Sequence, residues 1–251
     1  MKQSDKTLGY AKQDQAFVVA HFHSEGKVAM DLINLIKTLA EISEKIVFVS
    51  TCLRDDYASH LSNFCQVIRR ENVGYDFWSY KTGIDSIKNL SALKKLTIFN
   101  SSFITFSPRL LLKGATTEIN TPRLNGITIS HQHSTHIQSY WVAFEHPDLI
   151  RSDSFKKWWE EMTPISEKKE VIQKYEIGMS TYFKSHGFEL DSIYKPTYFD
   201  LFTAYCNAVA VGSYHPKIED GGITIDFEFA KNLNPNHLLW EPILKNLGII
   251  K

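Results

Sequence analysis

The sequence lacks a net charge, a paired cysteine pattern and a long apolar run, and each absence argues against a class of protein. Its 28 basic and 28 acidic residues balance, so no net field would hold a nucleic acid as the main partner. Cys52, Cys65 and Cys206 are widely spaced, which argues against a disulfide framework or zinc ribbon and favours a reducing compartment. No run approaches the roughly 20 apolar residues that span a bilayer, and no signal-peptide pattern opens the chain. We therefore expect a cytoplasmic protein, and peripheral contact with a membrane surface stays open.

Two nucleotide-binding signatures are also missing. There is no Gly-x-x-x-x-Gly-Lys-Ser/Thr loop, and no Gly-x-Gly-x-x-Gly follows a predicted strand, which argues against a P-loop hydrolase and an ordinary dinucleotide oxidoreductase. A chain of 251 residues that is 43% apolar can bury a sizeable core, and it contains no internal repeat or low-complexity linker. We therefore expect residues 1–251 to form a single domain.

Apolar runs and helical patterns alternate along the first hundred residues. The patterns predict strands at 16–21, 45–51, 65–69 and 95–99, and helices at 28–39, 55–63 and 78–93. This alternation indicates an α/β fold with a mainly parallel, Rossmann-type sheet flanked by helices.

The second half of the chain is rich in aromatic residues. The patterns predict a strand at 126–130, helices at 137–144, 152–162 and 167–186, and a final helix after residue 234. Aromatic side chains at helical spacing form core more often than they form a platform for stacking sugars. We therefore predict a helical, aromatic-rich C-terminal half.

Polar side chains follow the ends of the four predicted N-terminal strands. The carboxyl ends of parallel strands meet at one edge of the sheet, where α/β proteins bind their ligands. The residues expected along that edge are His21, His23, Ser50, Thr51, Arg69, Arg70, Asn72, Asp76, Asn100 and Ser101. This convergence predicts a ligand site built from several different strand–helix units.

The stretch at residues 69–83 concentrates the most chemistry. Arg69 and Arg70 offer planar guanidinium forks and Gly74 permits close backbone approach, which together suit a diphosphate. Asp76 could accept hydrogen bonds from ribose or sugar hydroxyls. The competing interpretation is that each arginine pairs with a nearby carboxylate, such as Glu71, or caps a carbonyl.

Histidines raise a metal hypothesis as well. His21 and His23 share a strand face, and His131, His133 and His136 crowd one short segment. No carboxylate lies at ligand spacing in that second segment, so a hydrogen-bonded surface cluster is the simpler interpretation. A zinc-dependent hydrolase therefore ranks third among the functions considered.

Five ordered blocks, at residues 70–83, 96–102, 136–140, 171–180 and 234–240, resemble rhamnan synthesis protein F. The first block reads Arg-Glu-Asn-Val-Gly-Tyr-Asp-Phe-Trp-Ser-Tyr-Lys-Thr-Gly. That family comprises bacterial glycosyltransferases of cell-wall and lipopolysaccharide (O-antigen) synthesis and is distantly similar to the GT-A glycosyltransferases. The resemblance implies a GT-A-like fold with a nucleotide-sugar-binding half at 16–104 and an acceptor and catalytic half at 105–251.

The resemblance also implies roles for particular residues. Glu176, beside Tyr175, corresponds to the acidic base of inverting GT-A enzymes, which deprotonates the acceptor hydroxyl. In the resemblance, Arg70, Asn72, Gly74 and Asp76 correspond to the block that lines the donor site. Taken together with the strand-end edge, the predicted donor-binding residues are His21, His23, Thr51, Arg69, Arg70, Asn72, Gly74, Asp76, Lys81, Asn100 and Ser101. The implied acceptor-binding residues are His131, His133, His136 and Gln138, although residues 131–136 depart from the acidic, glycine-containing pattern of the family.

One difference from the GT-A sequence pattern concerns the metal cofactor. Asn100-Ser101-Ser102 stands where GT-A enzymes carry the metal-binding Asp-x-Asp, and an amide and two hydroxyls are weak ligands for a hard dication. The sequence therefore predicts a glycosyltransferase without a metal cofactor, whose partners are a nucleotide sugar and a glycan acceptor. Peripheral association with the inner membrane or with other polysaccharide-assembly enzymes stays open. The alternative is a non-catalytic glycan-binding or assembly subunit that keeps the fold.

Overall fold

The computed structural model describes residues 11–103, 108–115, 120–131 and 133–195, and a few further positions up to residue 223. Its strands are β1 (Gln15–His21), β2 (Lys45–Ser50), β3 (Gln66–Arg69), β4 (Lys95–Asn100), β5 (Arg123–Gly126), β6 (Ile129–Ser130), β7 (His136–Ile137), β8 (Trp141–Glu145), β9 (Glu189–Ser192), β10 (Ile218–Glu219) and β11 (Gly222–Ile223). Its helices are α1 (Met30–Ile42), α2 (Asp55–Leu61), α3 (Tyr75–Asp85), α4 (Pro108–Ala115), α5 (Pro147–Arg151), α6 (Asp153–Glu160), α7 (Lys168–Val171) and α8 (Gly178–Ser185). A π-helical segment, Ile172–Ile177, joins α7 to α8, and short 3₁₀ turns lie at Lys12–Asp14 and Leu90–Ala92.

Seven strands form one central sheet in the order β3-β2-β1-β4-β8-β5-β9. The first four are parallel, β8 runs antiparallel to both of its neighbours, and β9 pairs in parallel with β5. Helices flank the sheet, so the predicted α/β class with a mainly parallel sheet is confirmed. Strands from both halves of the chain pair directly, through β4 and β8.

Side chains alternate between two apolar layers, one on each face of the sheet. Val18 and Val49 point to the face covered by α3, α6 and α8, where Phe77, Phe155 and Phe183 are buried. Phe17, Val19 and Phe48 point to the opposite face, which α1 covers with Leu32, Leu35, Ile36 and Leu39. Because both faces are covered, β1 is buried along its whole length.

Three predictions about the elements need correction. The helix predicted at 137–144 is wrong: this segment holds the end of β7 and most of β8, the strand next to β4. Every residue of β8 is buried, so its aromatic run carries no polar alternation that would mark it as a strand. The strand predicted at 126–130 is split between β5 and β6, and α3 covers Tyr75–Asp85 rather than 78–93. The final helix predicted after residue 234 lies outside the described residues.

Helix α3 packs against β1 through a glycine. An added Cβ at Gly83 would lie 2.3 Å from Cγ1 of Val18, a buried side chain. Gly83→Ala is therefore expected to lower the free energy of unfolding by about 2 kcal/mol, because overpacking a core outweighs the gain in helix propensity. Urea denaturation measures the change.

The matched control is Gly178→Ala, at another helical glycine. There an added Cβ meets its nearest atom at 3.4 Å, an ordinary contact. We expect this substitution to be neutral or to stabilise the protein by up to about 1 kcal/mol. Equal losses for the two variants would contradict the close packing of α3 on β1.

A buried ion-pair network lies at the edge of the sheet where β4 begins and β8 ends. Lys95 Nζ lies 2.6 Å from Glu145 Oε1, and each side chain is 1% exposed. Arg123 Nε lies 2.9 Å from the other Glu145 oxygen, and Arg123 Nη1 lies 2.7 Å from Asp191 Oδ2. The network therefore crosses β4, β8, β5 and β9, and joins strands from both halves of the chain.

Candidate functional site

The carboxyl ends of the parallel strands meet at the edge opposite this network. His21, Ser50 and Arg69 lie in register on neighbouring strands, and Ala20 lies beside Asn100. The structure therefore brings together the backbones of the strand-end residues that the sequence placed along one edge. Their side chains have different hydrogen-bond partners, which the backbone pairing does not reveal.

Arg70 organises the loop between β3 and α3. Its Nη1 donates to the carbonyls of Glu71 and Val73, at 2.7 and 2.5 Å. Its Nη2 donates to the carbonyl of Tyr75 at 2.6 Å and to Ser79 Oγ at 2.7 Å, and its Nε donates to the same hydroxyl at 2.9 Å. All five donors of the guanidinium are used within the loop. Arg70 therefore has no free donor for the diphosphate that the sequence assigned to it, which favours the structural interpretation.

Two consecutive residues with positive φ follow in this loop. Gly74 has φ 70°, and an added Cβ there would lie 2.6 Å from Cβ of Trp78 and 3.0 Å from Cβ of Pro164. Tyr75 has φ 52°, which is costly for a bulky side chain, and it is 43% exposed. The hydrogen bond from Arg70 to its carbonyl holds Tyr75 in that conformation.

Arg69 and Lys81 have partners away from the strand ends. Arg69 Nη2 lies 2.5 Å from Asp55 Oδ1 on α2, in an exposed pair. Lys81 Nζ lies 3.1 Å from Asp85 Oδ2, one turn further along α3. The structure gives neither residue a contact with the other predicted donor-binding side chains.

The two neighbouring arginines allow a direct test of the loop. Arg70→Lys replaces five fixed donors by a flexible ammonium. It is expected to lower the free energy of unfolding by about 2 kcal/mol, because the buried Ser79 hydroxyl and three loop carbonyls lose their donors. Arg69→Lys, which disturbs one exposed pair, should cost about 0.5 kcal/mol or less. Urea denaturation of both variants measures the difference, and similar losses would contradict the role given to Arg70.

Asp76 and Asn100 form the polar centre of the site. Asn100, 7% exposed at the end of β4, donates from Nδ2 to Asp76 Oδ2 at 2.8 Å. The other amide atom, Asn100 Oδ1, accepts from the backbone N–H and the hydroxyl of Ser102, at 3.1 and 2.5 Å. These bonds fix the amide orientation, and they hold the Asp76 carboxyl at the first turn of α3.

Glu176 approaches the same place from the second half of the chain. It lies on the π-helical segment, a rare helix type that often marks functional sites. The backbone N–H of Ser139 donates to Glu176 Oε1 at 3.3 Å, while Tyr80 donates its hydroxyl to the Ser139 carbonyl at 2.9 Å. Within the part of the chain that the structure describes, Ser139 is the one donor to Glu176.

The charge of Glu176 acts on the Asp76 carboxyl. Burial raises the pKa of Asp76, and the charge of Glu176 raises it further, while the Asn100 hydrogen bond and the Arg70 charge oppose the rise. Burial raises the pKa of Tyr80 well above its usual value, and the charges of Asp76 and Glu176 add to the rise. A pair of carboxyl groups in such a setting can divide the tasks of holding and accepting a proton.

A cleft of about 420 Å³ opens between the segments that lead into α3 and α7. One wall is residues 72–75 of the Arg70 loop, and the other is residues 164–166, between α6 and α7. Tyr175 fixes the second wall, because its hydroxyl donates to the Thr163 carbonyl at 2.6 Å and accepts from the Thr163 N–H at 2.9 Å. Asn72 and Gly74, predicted to bind the donor, thus face the second half of the chain.

At the ends of β1 and β2, His21 is a structural residue. It is 4% exposed, and its ring nitrogens contact Ser50 Oγ at 2.9 Å and the Lys27 carbonyl at 3.0 Å. His23 is exposed and accepts from the Glu25 N–H, whereas Thr51 Oγ1 is buried without a hydrogen-bond partner. At the end of β2, the Thr51 hydroxyl therefore remains available for a hydrogen bond to a ligand.

Burial lowers the pKa of His21 to about 4, although its bond to the Lys27 carbonyl opposes the change. A histidine in the unfolded chain has a pKa near 6.5, so between pH 4 and 6.5 the unfolded state binds more protons than the folded state. The free energy of unfolding therefore falls as the pH drops from about 6.5 to 4. His21 should contribute a loss of about 3 kcal/mol over that window. Denaturant unfolding of His21→Asn at several pH values should show a flatter profile than that of the wild type.

The predicted acceptor residues lie on and beside a two-stranded hairpin. His131 and His133 lie in the loop between β6 and β7, and both are exposed. His136 is 5% exposed and contacts the Ser134 carbonyl, while Gln138 is 4% exposed and accepts from Thr128. Across the described residues, no three His, Cys, Asp or Glu side chains gather into a metal-binding group.

The family model for rhamnan synthesis protein F matches residues 46–213, more than half of the chain. The chain belongs to this family. It is 27% identical over 170 residues to "Uncharacterized protein y4gN" of Sinorhizobium fredii, covering 64% of this chain and 43% of that protein. It is 26% identical over 196 residues to "Virulence protein VirA" of Vibrio anguillarum, covering 74% of this chain and 61% of that protein. The chain thus spans less than two thirds of the length of both relatives.

Among solved structures, the chain is similar to a cytidylyltransferase from Leptospira borgpetersenii. The identity is 11%, the alignment covers 96% of this chain and 97% of that chain, and the TM-score is 0.41. Among the described residues, no helix is long and apolar enough to span a membrane.

Sequence reasoning missed several residues that shape the site. Ser79 holds Arg70, while Tyr80 and Ser139 position Glu176. Lys27 and Arg54 also lie in the turns that follow β1 and β2, paired with Glu25 and Asp56 in exposed contacts. Blocks 70–83 and 136–140 contained Ser79, Tyr80 and Ser139, but a serine and a tyrosine between apolar residues give no signal of these contacts.

Proposed function

We propose that this protein is a glycosyltransferase that moves a hexose, such as the deoxyhexose rhamnose, from a nucleoside diphosphate to a cell-surface polysaccharide or O-antigen acceptor. The observation that carries the proposal is the convergence of Asp76 and Glu176, from the two halves of the chain, at the ligand-binding edge of the sheet. Membership of the rhamnan synthesis protein F family supports the choice of a sugar transfer.

Glu176 is the general base in this proposal. One of its oxygens is held by Ser139, and the other accepts the proton from the acceptor hydroxyl. The acceptor oxygen then forms a bond to the anomeric carbon of the donor sugar. The bond between that carbon and the diphosphate oxygen breaks, and the nucleoside diphosphate leaves with the electron pair. Asp76, held by Asn100, accepts a hydrogen bond from a sugar hydroxyl.

The donor diphosphate is placed at the ends of β1 and β2. Lys27 and Arg54 carry the cations there, and their partners Glu25 and Asp56 are 62% and 58% exposed. Such exposed ion pairs are weak, so a diphosphate can replace the carboxylates. Asn100 Oδ1 already accepts two hydrogen bonds from Ser102, which supports transfer without a divalent metal at the position of the missing Asp-x-Asp.

A thermal-shift panel of nucleoside diphosphates, followed by assays with the matching nucleotide sugars, tests this function. A diphosphate at 100 times its Kd should stabilise the protein by about 2.7 kcal/mol, and Lys27→Ala with Arg54→Ala should abolish most of that shift. Lys88→Ala, an exposed lysine beyond the far end of α3, is the control and should keep it. A protein that binds glycans, binds no nucleotide and transfers no sugar would instead be a non-catalytic assembly subunit.

A further inference from the structure

We infer that the cleft between residues 72–75 and 164–166 is a separate subsite for a neutral pyranose ring of the acceptor glycan, with Tyr75 as its stacking platform. The inference rests on the proposed function and adds to it the place and chemistry of acceptor binding. It differs from the sequence prediction, which put the acceptor at the histidines of the β6–β7 hairpin.

The cleft has the size and lining of a small-molecule site. Its volume of about 420 Å³ falls within the roughly 300–1,000 Å³ range of such sites. Tyr75 and Val73, 43% and 45% exposed, present apolar surface, while Asn72 and Ser166 add an amide and a hydroxyl. A pyranose has an apolar C–H face and a rim of hydroxyls, so this mixed lining is complementary to it.

The charges disfavour a diphosphate in the same place. No residue that lines the cleft is basic, and the one guanidinium behind its wall, Arg70, has all five donors in use. Asp76 follows Tyr75 directly in the chain, and its carboxyl would repel a phosphate. A neutral sugar meets no such repulsion, and carboxylates are good acceptors for its hydroxyls.

Both walls are fixed by hydrogen bonds inside the protein, and each precedes in the chain the helical segment that carries one of the two carboxylates. Arg70 holds the carbonyls of Glu71, Val73 and Tyr75, and Tyr175 holds Thr163 beside Pro164. The residues after Tyr75 and Tyr175 are Asp76 and Glu176. In this inference, a glycan whose ring stacks on Tyr75 extends toward the proposed base, which receives the attacking hydroxyl.

The conformation of Tyr75 gives a test that separates binding from stability. A tyrosine at φ 52° is strained, and glycine adopts this conformation without strain. Tyr75→Gly should therefore keep or raise the Tm of the protein, although it removes the platform. A residue retained only for structure would behave in the opposite way.

The experiment measures saturation-transfer NMR of the full chain with a panel of methyl hexopyranosides and methyl 6-deoxyhexopyranosides in the millimolar range. We expect at least one glycoside to bind, about fivefold or more weaker binding to Tyr75→Gly, and affinity within about twofold for Tyr75→Phe. Ser166→Trp, which fills the cleft from the exposed opposite wall, should abolish binding. A saturating nucleoside diphosphate should leave the glycoside bound.

The inference is overturned if no glycoside binds while a nucleoside diphosphate does, since the proposed function then stands without this subsite. It is also overturned if Tyr75→Gly binds glycosides as tightly as the wild type, or if the nucleotide displaces the glycoside. Glycoside binding that depends on Tyr75, without any nucleotide binding, would support the subsite and contradict the proposed function.

Discussion

Glu145→Ala is expected to lower the free energy of unfolding by about 3–5 kcal/mol, the largest stability effect of any single substitution proposed for this protein. The Glu145 side chain lies between Lys95 and Arg123, and Lys95 is 1% exposed, so the variant removes the carboxylate that lies 2.6 Å from a buried ammonium. Asn125 also donates weakly to both Glu145 oxygens, at 3.4 Å. Urea denaturation at neutral pH measures the loss.

Two further variants show whether the buried charge causes this loss. Glu41→Ala removes an exposed partner of Arg109 and should change stability by about 0.5 kcal/mol or less. Lys95→Met added to Glu145→Ala should recover part of the loss, because the buried ammonium is then removed as well. A double variant that is less stable than Glu145→Ala would contradict the explanation.

Glu176→Gln is expected to lower kcat by about 10²–10⁴-fold, with the KM for the nucleotide sugar within about threefold, because the amide cannot accept the acceptor proton. Its size and its contact with the Ser139 N–H are retained, so the fold should persist. Asp76→Asn should act differently and raise KM, since this residue is proposed to hold a sugar hydroxyl. Steady-state kinetics with the nucleotide sugar identified by the thermal-shift panel measure both parameters.

Glu170→Gln is the matched control for the base. Glu170 is an exposed glutamate on α7, six residues before Glu176, and the substitution should leave both kinetic parameters unchanged. Full activity of Glu176→Gln would contradict the assignment of Glu176 as the base.

The sequence predicted the strand-end edge well because that prediction needs only the position of each strand. Parallel pairing of β1, β2, β3 and β4 brings His21, Ser50, Arg69 and Asn100 to one edge without any knowledge of side-chain contacts. The four strands were visible as apolar runs bounded by polar turns. The α/β class followed from the same pattern.

The role of Arg70 could not be predicted in this way. In the sequence, an arginine beside Asn72 and Gly74 could bind a phosphate or hold the loop in its conformation. The structure distinguishes these two roles, because three loop carbonyls accept hydrogen bonds from Arg70. The bonds to Ser79 depend on the orientation of α3, whose start at Tyr75 was itself not predicted.

The strand β8 was missed for a related reason. Trp141 and Phe144 lie on opposite faces of the sheet, in different apolar layers, so a buried central strand and an apolar helix give the same composition. The partner strands β4 and β5, which settle the question, lie far away in the chain. Tertiary pairing, rather than local propensity, determines this element.

A crystal structure of the protein with a bound nucleoside diphosphate tests the central claim most directly. The account predicts the diphosphate at the ends of β1 and β2, within hydrogen-bond distance of Lys27 and Arg54, with Asp76 and Glu176 on the sugar side and no divalent cation between Asn100 and the phosphates. A diphosphate in the cleft beside Tyr75, or one bound through a metal ion at Asn100, would contradict it.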